Sequence, residues 1–187
     1  MTVQLPNPPA DVAQTLAARV RFAQLLADAD LLPPAYRKRP ANVLLAWEYA
    51  QALDLPLATA LTEVHVIAGK PVVSAHLMAS LARRAGHRVR TSTTYDDGSP
   101  VVSCEIVRGD DREFPFVAIW DMARAERAGL IGKDNWKQYP EAMLRARAIA
   151  ECVREACPEV LAGAYDPDEL AGPAPVGVDP ATGEITP

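Results

Sequence analysis

The spacing of apolar residues predicts helices over much of the chain. The first predicted helix covers 11–29, because apolar residues recur there at three- and four-residue steps. The residues of this stripe are Leu16, Val20, Ala23 and Ala27. The same signals, with proline at first turns and glycine after last turns, predict helices over 40–53, 57–61, 75–85, 121–128 and 140–157. Ser74 and Asp121 are predicted to cap two of these helices.

Alternation of apolar and polar residues predicts strands in the middle of the chain. Val102, Cys104 and Ile106 alternate with polar residues in one of them. The predicted strands cover 63–67, 71–73, 87–95, 101–108 and 113–120. A turn after the first strand places Lys70 near the tip of a hairpin, and further turns join the last three strands. The predicted fold class is therefore α+β, in which an antiparallel hairpin and a three-stranded meander carry helices packed on one face.

Composition divides the chain into three parts. Residues 1–10 are predicted to be a disordered N-terminus, 11–165 one folded domain, and 166–187 an acidic, proline- and glycine-rich disordered tail. The N-terminus lacks a basic start followed by an apolar run, and no apolar stretch reaches membrane-spanning length. We therefore expect a cytoplasmic protein without a membrane span. The three cysteines lack the spacing of a disulfide framework, and the two in the last helical pattern, Cys152 and Cys157, are predicted to be buried free thiols.

The distribution of charge matters more than the net charge of −5. Residues 158–187 contain six acidic residues and no lysine or arginine, which leaves 19 bases and 18 acids in 1–157. Between Tyr36 and Thr91 there are eight bases and three acids. This local positive density would suit a polyanionic partner, although charge alone favours the simpler interpretation given next. The alternative is that the bases only solvate the surface. The acidic tail either competes with such a partner or is simply solvated.

Motifs of common enzymes are absent from the sequence. There is no phosphate-binding loop of the Walker type, no dinucleotide-binding glycine pattern and no histidine or cysteine pair at metal-binding spacing. We therefore predict no catalytic residue, metal ligand or cofactor, and a non-enzymatic protein. A metal-dependent nuclease, or a nuclease accessory, is the enzymatic alternative that remains open.

Two groups of cations are candidates for binding nucleic acid. The first spans a predicted helix end and strand start and contains Arg83, Arg84 and Arg88, whose guanidinium groups match phosphate geometry. The alternative is that these arginines only stabilise the carboxyl end of the helix.

The second group follows in a predicted loop over 133–139 and in the last helix. Lysines and aromatic residues alternate in the loop, a pattern typical of single-strand binding because every base offers a face for stacking. The predicted contacts are Lys133, Trp136, Lys137, Tyr139, Arg145, Arg147 and Arg154. Arg147 and Arg154 are about two helical turns apart and share a face. Alternatively, Trp136 anchors the loop to the core, and Arg147 pairs with Glu151.

The same segment carries a family resemblance. Residues 136–148, WKQYPEAMLRARA, resemble the signature W-x-x-[YH]-P-x-x-M-L-R-x-[RK]-A of the RecT / Red beta annealing proteins. Residues 162–170, AGAYDPDEL, are similar to the A-G-x-Y-[TD]-x-[DE]-E that follows it. Upstream, VHVIAGKP at 64–71, RRAGH at 83–87 and AERAGL at 125–130 resemble RecT-like proteins of actinobacterial phages.

The resemblance implies a function in phage homologous recombination. Such proteins bind single-stranded DNA, anneal complementary strands through a duplex intermediate without ATP, and assemble into rings or helical filaments. Their fold is similar to the Rad-type annealing-protein core. A phage exonuclease and a host single-strand binding protein are further expected partners. By position, Arg147 and Arg154 match helix cations that grip the DNA backbone, and Lys70 lies where a hairpin tip approaches DNA or a neighbouring subunit. Glu141 departs from Red-type relatives, which often have a basic residue there.

Two function classes follow from these patterns. In the first, the upstream arginines, the loop and the last helix converge into one continuous groove for single-stranded DNA. In the second, the chain is a non-catalytic interaction module of a phage replication or recombination complex.

Overall fold

The computed structural model describes residues 10–67, 70–165, 177–178 and 185–186. Its elements are mixed α and β with antiparallel sheets, so the predicted fold class is confirmed. The chain divides into two compact units, Met1–Val64 and His65–Pro187. The boundary between them lies inside the range for which the sequence predicted a single domain, 11–165.

The first unit contains three helices, α1 (Ala10–Ala27), α2 (Pro40–Ala52) and α3 (Leu57–Glu63). Proline stands at the start of α2, where its missing N–H costs no helical hydrogen bond. One cluster of buried side chains joins the helices and their connections: Ala23, Ala27, Leu32, Tyr36, Val43, Ala46 and Leu61. The Tyr36 hydroxyl donates a hydrogen bond to the Val64 carbonyl at 2.6 Å. The helices predicted for this part of the chain are all present.

The apolar stripe of α1 is only partly buried. Ala23 and Ala27 belong to the core, whereas Leu16 is 54% and Val20 38% exposed. Among the described residues of α1, only Ala23 and Ala27 are buried members of the cluster that this helix shares with α2. Periodicity therefore located the helix but overestimated the length of its buried face.

Within the described residues, the second unit contains the strands, four α-helices and a 3-10 helix. Its elements in chain order are β1 (Val64–Ile67), β2 (Lys70–Val73), α4 (Ala75–Arg84), β3 (Arg88–Asp96), β4 (Ser99–Val107), β5 (Pro115–Asp121), α5 (Met122–Arg127), α6 (Asp134–Gln138), α7 (Pro140–Ala156) and a 3-10 helix (Pro158–Leu161). β1 and β2 form a two-stranded sheet, and β3, β4 and β5 form the predicted antiparallel meander.

The meander has one covered and one open face. Successive side chains of a strand point to opposite faces. On the face toward α7, β4 contributes the fully buried Val102, Cys104 and Ile106. The Cys152 thiol of α7 donates to the carbonyl oxygen of Cys104 at 3.4 Å, so the helix lies directly on this face. Cys104, Cys152 and Cys157 are free and buried, which confirms the prediction for Cys152 and Cys157.

Local capping signals in the second unit are correct. The Ser74 hydroxyl accepts a hydrogen bond from the Leu77 N–H at 3.1 Å, and the Asp121 carboxylate accepts one from the Arg124 N–H at 2.6 Å. Each satisfies a backbone donor that the first helical turn leaves unpaired. The chain leaves α4 through Gly86, whose φ of +92° lies in the region that favours glycine.

Two elements differ from the sequence prediction. Residues 133–139 were predicted as a loop, but α6 occupies 134–138. A helix this short has almost no intrinsic stability, so it is held by the burial of Trp136, which is 1% exposed. The 3-10 helix after α7 was not predicted either.

The end of the second unit returns to the hairpin. Tyr165 forms an isolated parallel bridge with Val72. Its N–H donates to the Pro71 carbonyl, and its carbonyl accepts from the Val73 N–H, both at 2.8 Å. Further on, Gly177–Val178 pairs antiparallel with Ile185–Thr186. The predicted disordered segments, 1–10 and 166–187, otherwise lie almost entirely outside the described residues.

Candidate nucleic-acid interface

Trp120, at the end of β5, organises two arginines of the second unit. The Cζ atoms of Arg124 and Arg147 lie 4.3 Å and 4.9 Å from the centroid of its ring. At these distances a guanidinium group is attracted by the negative face of the indole. The indole N–H donates to Glu151 at 2.9 Å. We call Trp120, Arg124, Arg147 and Glu151 the Trp120 cluster.

Glu151 ties this cluster to α7. Arg124 Nη2 contacts both of its carboxylate oxygens, at 3.0 Å and 2.8 Å, and Arg124 Nη1 donates to the Ile119 carbonyl at 2.6 Å. The carboxylate therefore fixes the arginine of α5. The cluster contains two arginines and one carboxylate, so one positive charge is left over.

Tyr165 organises a second pair of cations. Lys70 Nζ and Arg154 Cζ each lie 4.9 Å from the centroid of the Tyr165 ring. Arg154 also donates to the Ala164 carbonyl at 2.8 Å. The three residues come from β2, α7 and the segment after the 3-10 helix. We call Lys70, Arg154 and Tyr165 the Tyr165 cluster, and it contains no carboxylate.

Each cluster contains one arginine of α7, and these two arginines lie in one row along the helix. Arg147 and Arg154 are seven residues apart, so they lie on nearly the same face and about 10 Å apart along the helix axis. Glu151 lies between them on this row. Together the clusters contain four cationic side chains and one carboxylate.

Arg145 lies in a different environment from Arg147. Its Nη2 contacts Glu141 at 2.5 Å and the Thr93 hydroxyl at 3.2 Å. The same carboxylate accepts from the Tyr95 hydroxyl at 3.0 Å and from Thr93 at 3.2 Å. The hydrogen bond from Tyr95, followed by those from Thr93 and Arg145, lowers the pKa of Glu141. Glu141 thus fastens the start of α7 to β3.

A shallow pocket adjoins this contact. Its volume is about 350 Å³. The lining residues are Gln138, Tyr139, Pro140, Glu141, Ala142 and Arg145. Tyr139 is 64% exposed, so its ring is available to a ligand. Arg145 and Tyr139 therefore remain together, apart from the Arg147–Arg154 row.

Arg88 is not brought together with the arginines of α7. Arg88 is exposed and alternates along β3 with the buried Val89, so it lies on the sheet face opposite α7. Arg83 and Arg84 are exposed at the end of α4, and Arg83 donates to the Val89 carbonyl at 3.2 Å. The pleat of β3 therefore puts Arg88 on a different surface from the arginines of α7, so the predicted groove does not run continuously through Arg88.

The lysine- and aromatic-rich segment is also divided. Trp136 is 1% exposed and belongs to the core, so its indole is not presented for stacking and the alternative interpretation, an anchor, describes it. Lys137 is exposed and lies 3.8 Å from Asp134, and Lys133 is half-buried. The indole N–H of Trp136 has no acceptor among the described residues.

Sequence reasoning missed Arg124, Trp120 and the role of Tyr165. Arg124 lies four residues after Trp120, a spacing that crosses from strand to helix and carries no periodic signal. Tyr165 is part of the second motif, but only the folded chain brings it to Lys70. In the described part of the chain no group of three or more His, Cys, Asp and Glu residues could hold a metal ion. No helix there is long and apolar enough to cross a membrane.

Comparison with protein-family models gives one match. The model described as the RecT family matches residues 28–182, which is most of the chain. No curated protein matches the chain.

Proposed function

The chain belongs to the RecT family of phage single-strand annealing proteins, and from this premise we propose that it anneals complementary DNA strands without ATP. The proposal includes a cytoplasmic site of action and assembly into a ring or a helical filament. The observation that carries it is the row on α7 formed by Arg147 and Arg154, each of which lies against the aromatic ring of its cluster.

The charge of this row suits a polyanion. Four cations with one carboxylate leave an excess of positive charge on a surface formed by α5, α7 and β2. The axial distance of about 10 Å between Arg147 and Arg154 corresponds to roughly three steps of about 3.4 Å along one DNA strand. Two arginines can therefore contact one backbone without forcing it from a common spacing.

Base pairing supplies the driving force in this mechanism. Each base-pair step contributes on average about 1.4 kcal/mol of stacking, so a pairing of a few tens of bases needs no coupled hydrolysis. The protein contributes a held strand whose phosphates are neutralised, which lowers repulsion from the second strand. Neighbouring subunits lengthen the held strand, and assembly is therefore part of the proposed function.

We propose a smaller contribution to DNA binding for the other residues that the sequence predicted as contacts. Tyr139 and Arg145, at the pocket beside α7, are proposed to contact a base or phosphate of the same strand. Lys133, Lys137, Arg83 and Arg84 are proposed as peripheral phosphate contacts, and Arg88, on the sheet face opposite α7, is proposed to contact phosphates away from the row. Trp136 is left out of the interface because it is buried.

The test is a titration of dye-labelled single-stranded oligonucleotide at several salt concentrations, together with an annealing assay without ATP. Arg147→Gln with Arg154→Gln removes two charges from the row. We expect about tenfold weaker binding per arginine, the lower range for a hydrogen bond to a charged group. The slope of log affinity against log salt should fall by about 1.4, because each lost contact contributes about 0.7 for a single strand.

A matched control removes the same charge elsewhere. Arg112 and Arg127 are exposed and belong to neither cluster, so Arg112→Gln with Arg127→Gln should keep the wild-type slope. Equal losses in both double variants would mean that only net charge matters and that the row is not the interface. Wild-type protein that neither binds nor anneals at low salt would contradict the proposed function itself and leave the interaction module.

A further inference from the structure

We infer that Tyr165 is a positioning residue for DNA binding, whose ring holds Lys70 and Arg154 in place for the phosphate backbone. This inference rests on the proposed function and assigns a new role within it. Tyr165 itself need not touch DNA. Its effect would pass through the two cations on its ring.

The first support is the geometry of the Tyr165 cluster. One ring has two cations at the same distance, 4.9 Å from its centroid. Lys70 belongs to a hairpin strand and Arg154 to α7, so the cations come from elements far apart in the sequence. The ring is the feature that the two cations share.

The second support is that the backbone of Tyr165 is itself fixed. It forms hydrogen bonds with the two neighbours of Val72: its N–H donates to the Pro71 carbonyl, and its carbonyl accepts from the Val73 N–H. The preceding Ala164 is fully buried, and its carbonyl accepts from Arg154. The ring therefore starts from a fixed backbone position.

The third support is the cost of ordering long side chains. Lysine and arginine lose more rotamer freedom than most residues when they are fixed. Contact with an aromatic face orders them before a ligand arrives, so less freedom is lost on binding. Two cations placed in advance should therefore bind a backbone more tightly than two that are free to move.

The hydroxyl has no part in this role. Among the described contacts of Tyr165, the side chain uses only its ring face. Tyr165→Phe keeps that face, whereas Tyr165→Leu removes it and retains an apolar side chain. The phenylalanine variant is therefore the matched control.

The experiment measures single-strand affinity and its salt slope for both variants. Tyr165→Phe should bind within about twofold of wild type, and Tyr165→Leu about tenfold more weakly, as expected for two exposed cation–π contacts. The slope for Tyr165→Leu should fall by up to about 1.4, since two phosphate contacts are affected. If its thermal unfolding shows that the leucine variant is unfolded, Tyr165→Ile replaces it, because a β-branched residue suits a bridge position.

A double-mutant cycle separates positioning from a purely structural role. In a background of Lys70→Ala with Arg154→Ala, Tyr165→Leu should cause no further loss of affinity. A loss of the same size in both backgrounds would overturn the inference, because Tyr165 would then act independently of the two cations. Tighter binding by Tyr165→Leu would overturn it too, because the ring would then obstruct the cations. These results presuppose that wild-type protein binds DNA, and its failure to bind would count against the proposed function instead.

Discussion

Replacing Trp136 tests whether its indole is a core side chain or part of a surface on which bases stack. The structure buries the indole to 1% exposure in a five-residue helix that has little other support. Truncation of a buried aromatic side chain to alanine costs about 3–5 kcal/mol, from lost burial and the cavity left behind. For a chain of this size each kcal/mol lowers the melting temperature by about 2–4 °C. We therefore expect Trp136→Ala to melt about 6–20 °C below wild type.

A conservative replacement should be much milder. The buried indole N–H has no acceptor among the described residues, and an unsatisfied buried donor carries a cost of about 1–3 kcal/mol. Trp136→Phe removes this donor together with part of the ring, so the two effects oppose each other. We expect a net change in the free energy of unfolding within about 1 kcal/mol. Its affinity for single-stranded DNA should equal that of wild type.

Circular dichroism during heating and an oligonucleotide titration would measure both properties. Tyr139→Ala is the control, because this neighbouring aromatic side chain is 64% exposed. Its effect on the free energy of unfolding should stay below about 0.5 kcal/mol. An unchanged melting temperature for Trp136→Ala, combined with weakened DNA binding, would refute the reasoning and place the indole at the surface as a stacking platform.

Two further predictions concern carboxylates whose pKa is lowered. Because the folded pKa of Glu141 lies below its ordinary 4.5, chiefly through the Tyr95 hydrogen bond, its contribution to stability is present above that value and is lost as the pH falls through the folded pKa. Glu141→Gln should therefore be less stable than wild type at pH 7 and lose less stability on acidification, as measured by urea unfolding; parallel pH curves would contradict this. The Arg108 guanidinium lowers the pKa of Asp110 from 3.8 to about 2, so this pairing should persist until the pH falls toward 2. A carboxyl titration followed by NMR should give a midpoint near 2 that returns toward 3.8 in Arg108→Ala, and an unchanged midpoint would show that Arg108 is not the cause.

Local features of the fold could be predicted from the sequence because their causes are local. The caps at Ser74 and Asp121 depend on a side chain and the first turn that follows it, and both are present. The strands of the meander follow from alternation and turn residues within about ten positions. By contrast, α6 was missed because its stability comes from the burial of one side chain.

The grouping of the cations depended on packing that spacing does not encode. The one-row relation of Arg147 and Arg154 follows from helical geometry alone. Their aromatic partners, Trp120 and Tyr165, come from elsewhere in the chain. Likewise, the sequence placed Arg88 close to basic neighbours, but the pleat of β3 turns it to the face away from α7.

The bridge between Val72 and Tyr165 has a consequence for biosynthesis. It joins a strand near the start of the second unit to residues that are translated much later. During translation β2 emerges from the ribosome well before its partner, and contacts between distant positions form late because loop closure costs entropy. Until then the Pro71 carbonyl and the Val73 N–H must form hydrogen bonds with water or with a chaperone. A transcript truncated before codon 165 would therefore yield a polypeptide in which this edge of β2 is unpaired. Such an edge promotes aggregation and degradation by quality-control proteases.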